Sequence, residues 1–178
     1  MLRRTTSQGF AFAVLFFLLF SFGIAQEGFK VGVVNSMEVL EKSIEGKRIL
    51  SQLEQKNKDN QDKITRMDED IRKLETRLST QGMTLSNEAL IQLRSDLEKK
   101  RTERTRFAED SYREMQELQS RLFTRLQNEL IPIIEKIGQD MEMDIIFDLR
   151  NSGAIYADPG IDITEEVIKR YDVSKSAS

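Results

Sequence analysis

The longest pattern in the chain is a stripe of positions spaced alternately three and four residues apart, which begins near Ile49 and ends before Ser79. Nearly every residue between the stripe positions is charged or carries an amide. Only a narrow seam can therefore be buried. A seam of this width packs against another helix. The stripe consists of Leu50, Leu53, Asn57, Asn60, Ile64, Met67, Ile71, Leu74 and Leu78.

A short polar segment around Gly82 interrupts this repeat. Gly82 suits a helix C-cap, and Ser86 or Asn87 can cap a second helix. Two heptad helices joined by a short turn predict an antiparallel coiled-coil hairpin over residues 45–137, with a kink at Pro132. One continuous helix through Gly82 is the alternative.

The stripe of the second helix is less regular than that of the first. It restarts at Leu90, Leu93 and Leu97, and its phase then continues, with few apolar residues, through Lys100, Arg104, Phe107 and Ser111. A shift of the stripe by one position is typical of a local change in coiled-coil winding. The shifted stripe is predicted to bury Ala108, Tyr112, Met115, Leu122 and Leu126.

Shorter β-rich segments flank the helices at both ends. Residues 29–34 predict a strand, and Asn35 caps a short helix after it. Residues 143–148 and 154–157 predict the two strands of a β-hairpin. Thr164 is then the expected N-cap of a terminal helix.

The two ends together predict a small β body over residues 26–44 and 138–178, so the fold class is α+β and mostly α. Three short strands and two short helices bury too little apolar surface for a stable core. The helical hairpin projects away and leaves the strands uncovered, so we expect several copies to join at the body. The predicted oligomerisation core is Val31, Val33, Ile145, Phe147 and Ile155.

Residues 1–25 have the features of a cleaved signal peptide. Arg3 and Arg4 precede an apolar run of thirteen residues, 10–22, and small residues at the end of the segment suit a cleavage site. A membrane-spanning helix needs about 20 apolar residues, so the run is short for an uncleaved anchor, which is the alternative. The pattern therefore predicts that the chain is exported across a membrane.

The composition excludes several classes of enzyme. The 178 residues include no His and no Cys, so zinc, haem and thiol sites lack their usual ligands, and His-assisted nucleophiles cannot form. Asp144, Asp148, Asp158 and Asp162 cluster in the body, but their neighbours suit turns and helix caps better than acid–base catalysis. We expect neither enzymatic activity nor a cofactor or metal.

Charge is distributed unevenly along the chain. Without Arg3 and Arg4 the chain has 25 bases and 30 acids, a net charge of −5, which does not favour nucleic-acid binding. The second helix nevertheless carries a basic run, and apolar residues lie in the turn before it. These are candidate contacts for a bound polypeptide. The alternative for the bases is a solvated face with ion pairs, and the alternative for the two apolar residues is packing back on the end of the hairpin. The candidates are Met83, Leu85, Arg94, Lys99, Lys100, Arg101 and Arg104.

Three segments, taken in order, resemble the Skp/OmpH family of periplasmic chaperones. They are residues 31–47, which include VGVVNSMEVL and SIEGK, residues 143–157, which include MDIIFD and AIYA, and residues 161–168, IDITEEVI. The coiled coil between them is not specific to one family. The sequence departs from strongly basic members of the family, because its pI is about 5.3. The lipopolysaccharide-binding residues of the family therefore have no match that can be carried over.

The resemblance implies a homotrimer shaped like a jellyfish, with the bodies as the hub and the helical hairpins as tentacles. It also implies an ATP-independent holdase that keeps unfolded outer-membrane proteins from aggregating. Lipopolysaccharide or the membrane surface is a further candidate partner. A periplasmic coiled-coil spacer or adaptor is the alternative function.

Overall fold

The computed structural model describes residues 28–176, so the predicted signal peptide lies outside the described residues. The compact unit that contains the fold begins at Val31. Its elements are strand β1 (Val31–Val34), helix α1 (Ser36–Lys42), helix α2 (Ile44–Gln81), helix α3 (Asn87–Asp140), strand β2 (Ile145–Asp148), a 3-10 turn (Pro159–Ile161) and helix α4 (Thr164–Ser176). Long helices with one small sheet confirm the predicted fold class. No helix in this part of the chain combines the length and the apolar composition that crossing a membrane requires.

Helices α2 and α3 pair as an antiparallel hairpin, which we call the arm. Ion pairs between the two helices show their direction. Lys56 pairs with Glu114 nearer the body, and Arg101 pairs with Glu75 nearer the turn. The predicted helical hairpin is therefore confirmed.

The turn of the arm begins and ends at predicted caps. The N–H of Gly82 donates to the carbonyl of Leu78, and the hydroxyl of Ser86 accepts from the N–H of Ala89. The alternative of one continuous helix is therefore wrong. Helix α3 runs on through Pro132, and the kink predicted there stays a prediction.

The sheet consists of two parallel strands that are connected by the whole arm. Val31 in β1 lies opposite Ile145 in β2, and Val33 lies opposite Phe147. On the other edge of β1, the carbonyl of Val33 accepts a hydrogen bond from the N–H of Ile163. Strand β1 is therefore paired on both edges.

The predicted β-hairpin of residues 143–148 and 154–157 is wrong. Strand β2 pairs with β1, and residues 154–157 form no strand. The arm brings the chain back beside β1. Strand β2 therefore forms its hydrogen bonds with β1 and not with residues 154–157. After β2, the carboxylate of Asp148 accepts a hydrogen bond from the side chain of Asn151 and holds the chain in a turn. The chain therefore leaves the sheet at this point.

The core of the body lies where the arm meets α1 and α4. Four of its side chains are fully buried: Val39 on α1, Ile137 on α3, and Val167 and Tyr171 on α4. The same cluster of buried residues continues along α3 into the seam of the arm. The base of the arm and the body therefore share one core.

Gly46, in the first turn of α2, lies against the backbone of α1. A Cβ atom at this position would lie 2.1 Å from the carbonyl oxygen of Leu40. Ser43, between the two helices, is buried, and its hydroxyl accepts a hydrogen bond from the N–H of Gly46. The contact between α1 and the first turn of α2 therefore requires a residue without a side chain at position 46.

Candidate functional site: the arm and the free edge of the body

The tip of the arm presents apolar side chains to solvent. Met83 in the turn is fully exposed, and Ile91 near the start of α3 is 68% exposed. Leu85, the other predicted apolar contact, is half-buried, and its N–H donates to the carbonyl of Gln81. The sequence analysis missed Ile91, although its position off the apolar stripe is a signal that it faces outward.

The predicted basic contacts divide into two groups. Three of the five bases form ion pairs: Lys100 with Glu103, Arg101 with Glu75 and Glu98, and Arg104 with Asp68. The hydrogen bond from Arg104 lowers the pKa of Asp68. The pairs of Arg101 with Glu75 and of Arg104 with Asp68 cross from α3 to α2, and exposed pairs of this kind contribute little to stability. Among the residues from 28 to 176, Arg94 and Lys99 form no ion pair.

The seam of the arm buries a polar residue near its middle. Ser111 is 6% exposed, and its hydroxyl has no hydrogen-bond partner in the described part of the chain. Of the residues that the shifted stripe was predicted to bury, Leu122 and Leu126 are buried, whereas Tyr112 is 67% exposed, so the prediction is wrong for Tyr112. Buried Leu97, Ser111 and Leu122 are 14 and 11 residues apart, and both spacings are close to whole numbers of helical turns. The helix therefore keeps its phase through Ser111 and leaves Tyr112 outside.

We expect Ser111→Ala to stabilise the arm by about 1 kcal/mol, because it removes a buried hydroxyl without a partner and raises helix propensity. Urea unfolding of the variant and the parent protein measures the difference. Ser120→Ala, at an exposed position of the same helix, is the control and should gain only about 0.5 kcal/mol from helix propensity. A loss of stability in Ser111→Ala would show that the hydroxyl is hydrogen-bonded in solution.

Three of the predicted oligomerisation residues are uncovered in the single chain. Phe147 is 44% exposed, Ile145 is 37% exposed and Ile155 is fully exposed. Val33 is instead buried within the body, and Val31 is half-buried. Within the described residues, no strand pairs with the second edge of β2. The body therefore presents a free strand edge together with exposed apolar side chains.

An apolar groove of about 410 Å³ lies between β2, α1 and α3. Its wall includes Ile146 from β2, Leu40 from α1, and Phe123 and Ile134 from α3. The sequence analysis did not identify this groove. Its lining residues come from segments far apart in the chain, and no local pattern brings them together.

At the base of the arm, Glu129 on α3 accepts hydrogen bonds from the Tyr171 hydroxyl at 2.6 Å, the Lys175 ammonium at 2.7 Å and the Arg125 guanidinium at 3.0 Å. Partial burial acts to raise the pKa of Glu129, but these three hydrogen bonds outweigh it and lower the pKa to about 2. Burial and the hydrogen bond to Glu129 raise the pKa of Tyr171 well above its usual value. An ionised carboxylate therefore ties α4 to α3.

The acids of the body have structural partners. Asp148 accepts hydrogen bonds from the N–H and hydroxyl of Ser36 at the start of α1. Asp162 accepts from the N–H of Thr164 at the start of α4. In the part of the chain that the structure describes, no three acidic side chains are arranged as metal ligands.

Residues 30–171 match the family described as Outer membrane protein (OmpH-like). Over 145 residues the chain is 26% identical to the chaperone protein Skp of Yersinia enterocolitica, and the alignment covers 79% of this chain and 85% of that protein. The fold is similar to the crystal structure of an OmpH-like protein from Caulobacter crescentus, with a TM-score of 0.73, 20% identity, and coverage of 81% of this chain and 84% of that chain. This chain is therefore a member of the Skp/OmpH family, whose proteins are chaperones and not enzymes.

Proposed function

We propose that this protein is an ATP-independent holdase of the periplasm, which binds unfolded outer-membrane proteins and keeps them from aggregating. The observation that carries the proposal is the apolar tip of the arm, formed by Met83 and Ile91. Helix α2 has 38 residues and is therefore about 57 Å long, so these side chains are held far from the body. Membership of a chaperone family supports this assignment, and the predicted signal peptide supports the location.

Several arms around one client would hold it by many weak contacts. An unfolded β-barrel protein exposes unpaired strand edges and apolar side chains, which are the features that drive aggregation. Arms that belong to one assembly offer their contacts at high effective concentration, so affinity does not depend on one strong site. Arg94 and Lys99 are available to acidic segments of the client or to lipopolysaccharide phosphates, since they form no ion pair among the described residues.

The proposed assembly is a homotrimer joined through the body, residues 26–44 and 138–178, with residues 45–137 as the arms. The free edge of β2 and the exposed side chains of Ile145, Phe147 and Ile155 support this proposal. A strand from another copy would complete the hydrogen bonds of that edge and cover the apolar side chains.

Phe147→Asp is expected to dissociate the assembly and leave the single chain folded. The new carboxylate would be solvated in a monomer but buried without a partner in an interface. Analytical ultracentrifugation at micromolar concentration should give three times the chain mass for the parent protein and the chain mass for the variant. Tyr112→Asp, on the exposed face of the arm, is the control and should keep the parent mass. A parent protein that is a stable monomer would contradict the proposed assembly.

The holdase function is tested by light scattering. An outer-membrane β-barrel protein is unfolded in urea and diluted into buffer, and its aggregation is followed. The chain without its signal peptide should suppress this aggregation at about one trimer per client. The double variant Met83→Ser, Ile91→Ser should require several-fold more protein. The control Thr84→Ser, Asn87→Ser, at exposed polar positions at the same end of the arm, should behave like the parent. Unchanged scattering with the parent protein would contradict the holdase function and favour the spacer or adaptor.

A further inference from the structure

Helix α4 continues beyond the region that matches the family. The match ends at residue 171, whereas α4 ends at Ser176. The additional residues form more than one turn of helix, and two of them, Asp172 and Lys175, contact the base of the arm. Their contacts reach both helices of the arm.

The contact with α2 is made by Asp172. Its carboxylate accepts a hydrogen bond of 2.9 Å from the N–H of Ile44, the first residue of α2. The first N–H groups of a helix have no partner within the helix, and their partial positive charge favours a carboxylate. Asp172 therefore holds the point at which the arm leaves the body.

The contact with α3 is made by Lys175. Its ammonium lies 2.7 Å from the carboxylate of Glu129 and 5.6 Å from the centre of the Tyr171 ring. Arg125, which also pairs with Glu129, reaches to 3.4 Å from Glu45 on α2. The charges at the base of the arm therefore form one connected group over α2, α3 and α4.

We propose that residues 172–176 act as a latch that sets the angle of the arm relative to the body. The fully buried Val167 and Tyr171 anchor α4 in the core, so the following turn has a fixed position from which to hold both arm helices. The latch consists of one exposed hydrogen bond and one partly buried ion pair, and both can break locally while the core stays folded. The effect of the latch on clients rests on the proposed function, since the arm angle sets the width of the space between the arms.

Spin labels test the latch directly. The chain has no cysteine, so a pair of cysteines introduced for labelling gives the only two attachment sites. Glu41→Cys on α1 and Arg66→Cys on α2 are both exposed positions. Labelled chains are mixed with an excess of unlabelled chains, so that each assembly carries at most one labelled copy. Pulsed electron paramagnetic resonance then measures the distribution of distances between body and arm.

In the latch variant Asp172→Ala, Lys175→Ala, the width of this distribution is expected to increase at least twofold. Lys169→Ala, at an exposed position of the same helix, is the matched control and should keep the parent width. Circular dichroism checks that each variant is folded. If the double variant fails to fold, Lys175→Gln replaces it, and a smaller broadening is expected. A folded latch variant with the parent distribution would overturn the proposal.

The aggregation assay separates the latch from the proposed function. A broader distance distribution together with altered suppression of aggregation supports both. If the latch variant has a broader distribution but the parent protein does not suppress aggregation, the latch is supported and the holdase function is contradicted.

Discussion

Gly46→Ala is expected to lower the free energy of unfolding by about 3 kcal/mol or more. The added Cβ would lie 2.1 Å from the carbonyl oxygen of Leu40 and 2.7 Å from its carbonyl carbon. Both are backbone atoms, so no side-chain rotation can relieve the overlap, and α1 would have to move away from α2. The higher helix propensity of alanine would offset only about 1 kcal/mol of this cost.

Gly138→Ala is the matched control for Gly46→Ala. It also adds a methyl group to a glycine within a helix and gains the same helix propensity. Its new Cβ would meet only the Cδ1 atom of Ile146, at 3.2 Å, which is the flexible end of a side chain. We therefore expect a change within about 1 kcal/mol in either direction. Urea unfolding followed by circular dichroism measures both variants, and a Gly46→Ala protein as stable as the parent would contradict the close contact between α1 and α2.

Glu129→Gln is expected to lower the free energy of unfolding at pH 7 by about 2 to 3 kcal/mol. The pKa of Glu129 is about 2 in the folded protein, against an ordinary value of 4.5. Each unit of this difference corresponds to about 1.4 kcal/mol in favour of the folded state when the carboxylate is ionised. The side chain is 26% exposed, so solvent screening keeps the effect below the full value.

The same substitution has a predicted pH dependence. Because the pKa of Glu129 is lower in the folded than in the unfolded chain, its stabilisation is fully present above about pH 4.5 and is lost as the pH falls towards 2. The stability difference between the parent and Glu129→Gln should therefore shrink over this range. Glu109→Gln, at an exposed position of α3, is the control and should change stability little at any pH. A difference that stays constant down to pH 2 would assign the loss to packing rather than to charge.

The helical hairpin was predictable because the interactions that specify it are local. The heptad stripe repeats within each helix, and the hydroxyl of Ser86 caps α3 through a residue only three positions away. The exposure of Met83 also follows from its place in a short polar turn. The three segments that resemble the Skp/OmpH family led to the family that the match over residues 30–171 shows.

Strand pairing was not predictable from local composition. Residues 154–157 include Ile155 and Tyr156, which favour strands, yet they form none. Strand β2 pairs with β1 instead, and Val31 lies opposite Ile145 although the whole arm separates them in the sequence. The residue pattern of a strand shows that the strand needs a partner. It does not show which other strand will have a free edge beside it in the folded chain.

For the candidate site, local sequence was sufficient to identify the arm, its caps and its apolar turn, because these depend on neighbours within a few residues. The folded chain was needed to show that Arg101 and Arg104 pair with acids on α2 while Arg94 and Lys99 do not, and that Ser111 rather than Tyr112 enters the seam. It was also needed to show that Glu129 joins α3 to α4. These outcomes depend on the alignment of segments far apart in the chain, and that alignment is set by the packing of the whole core.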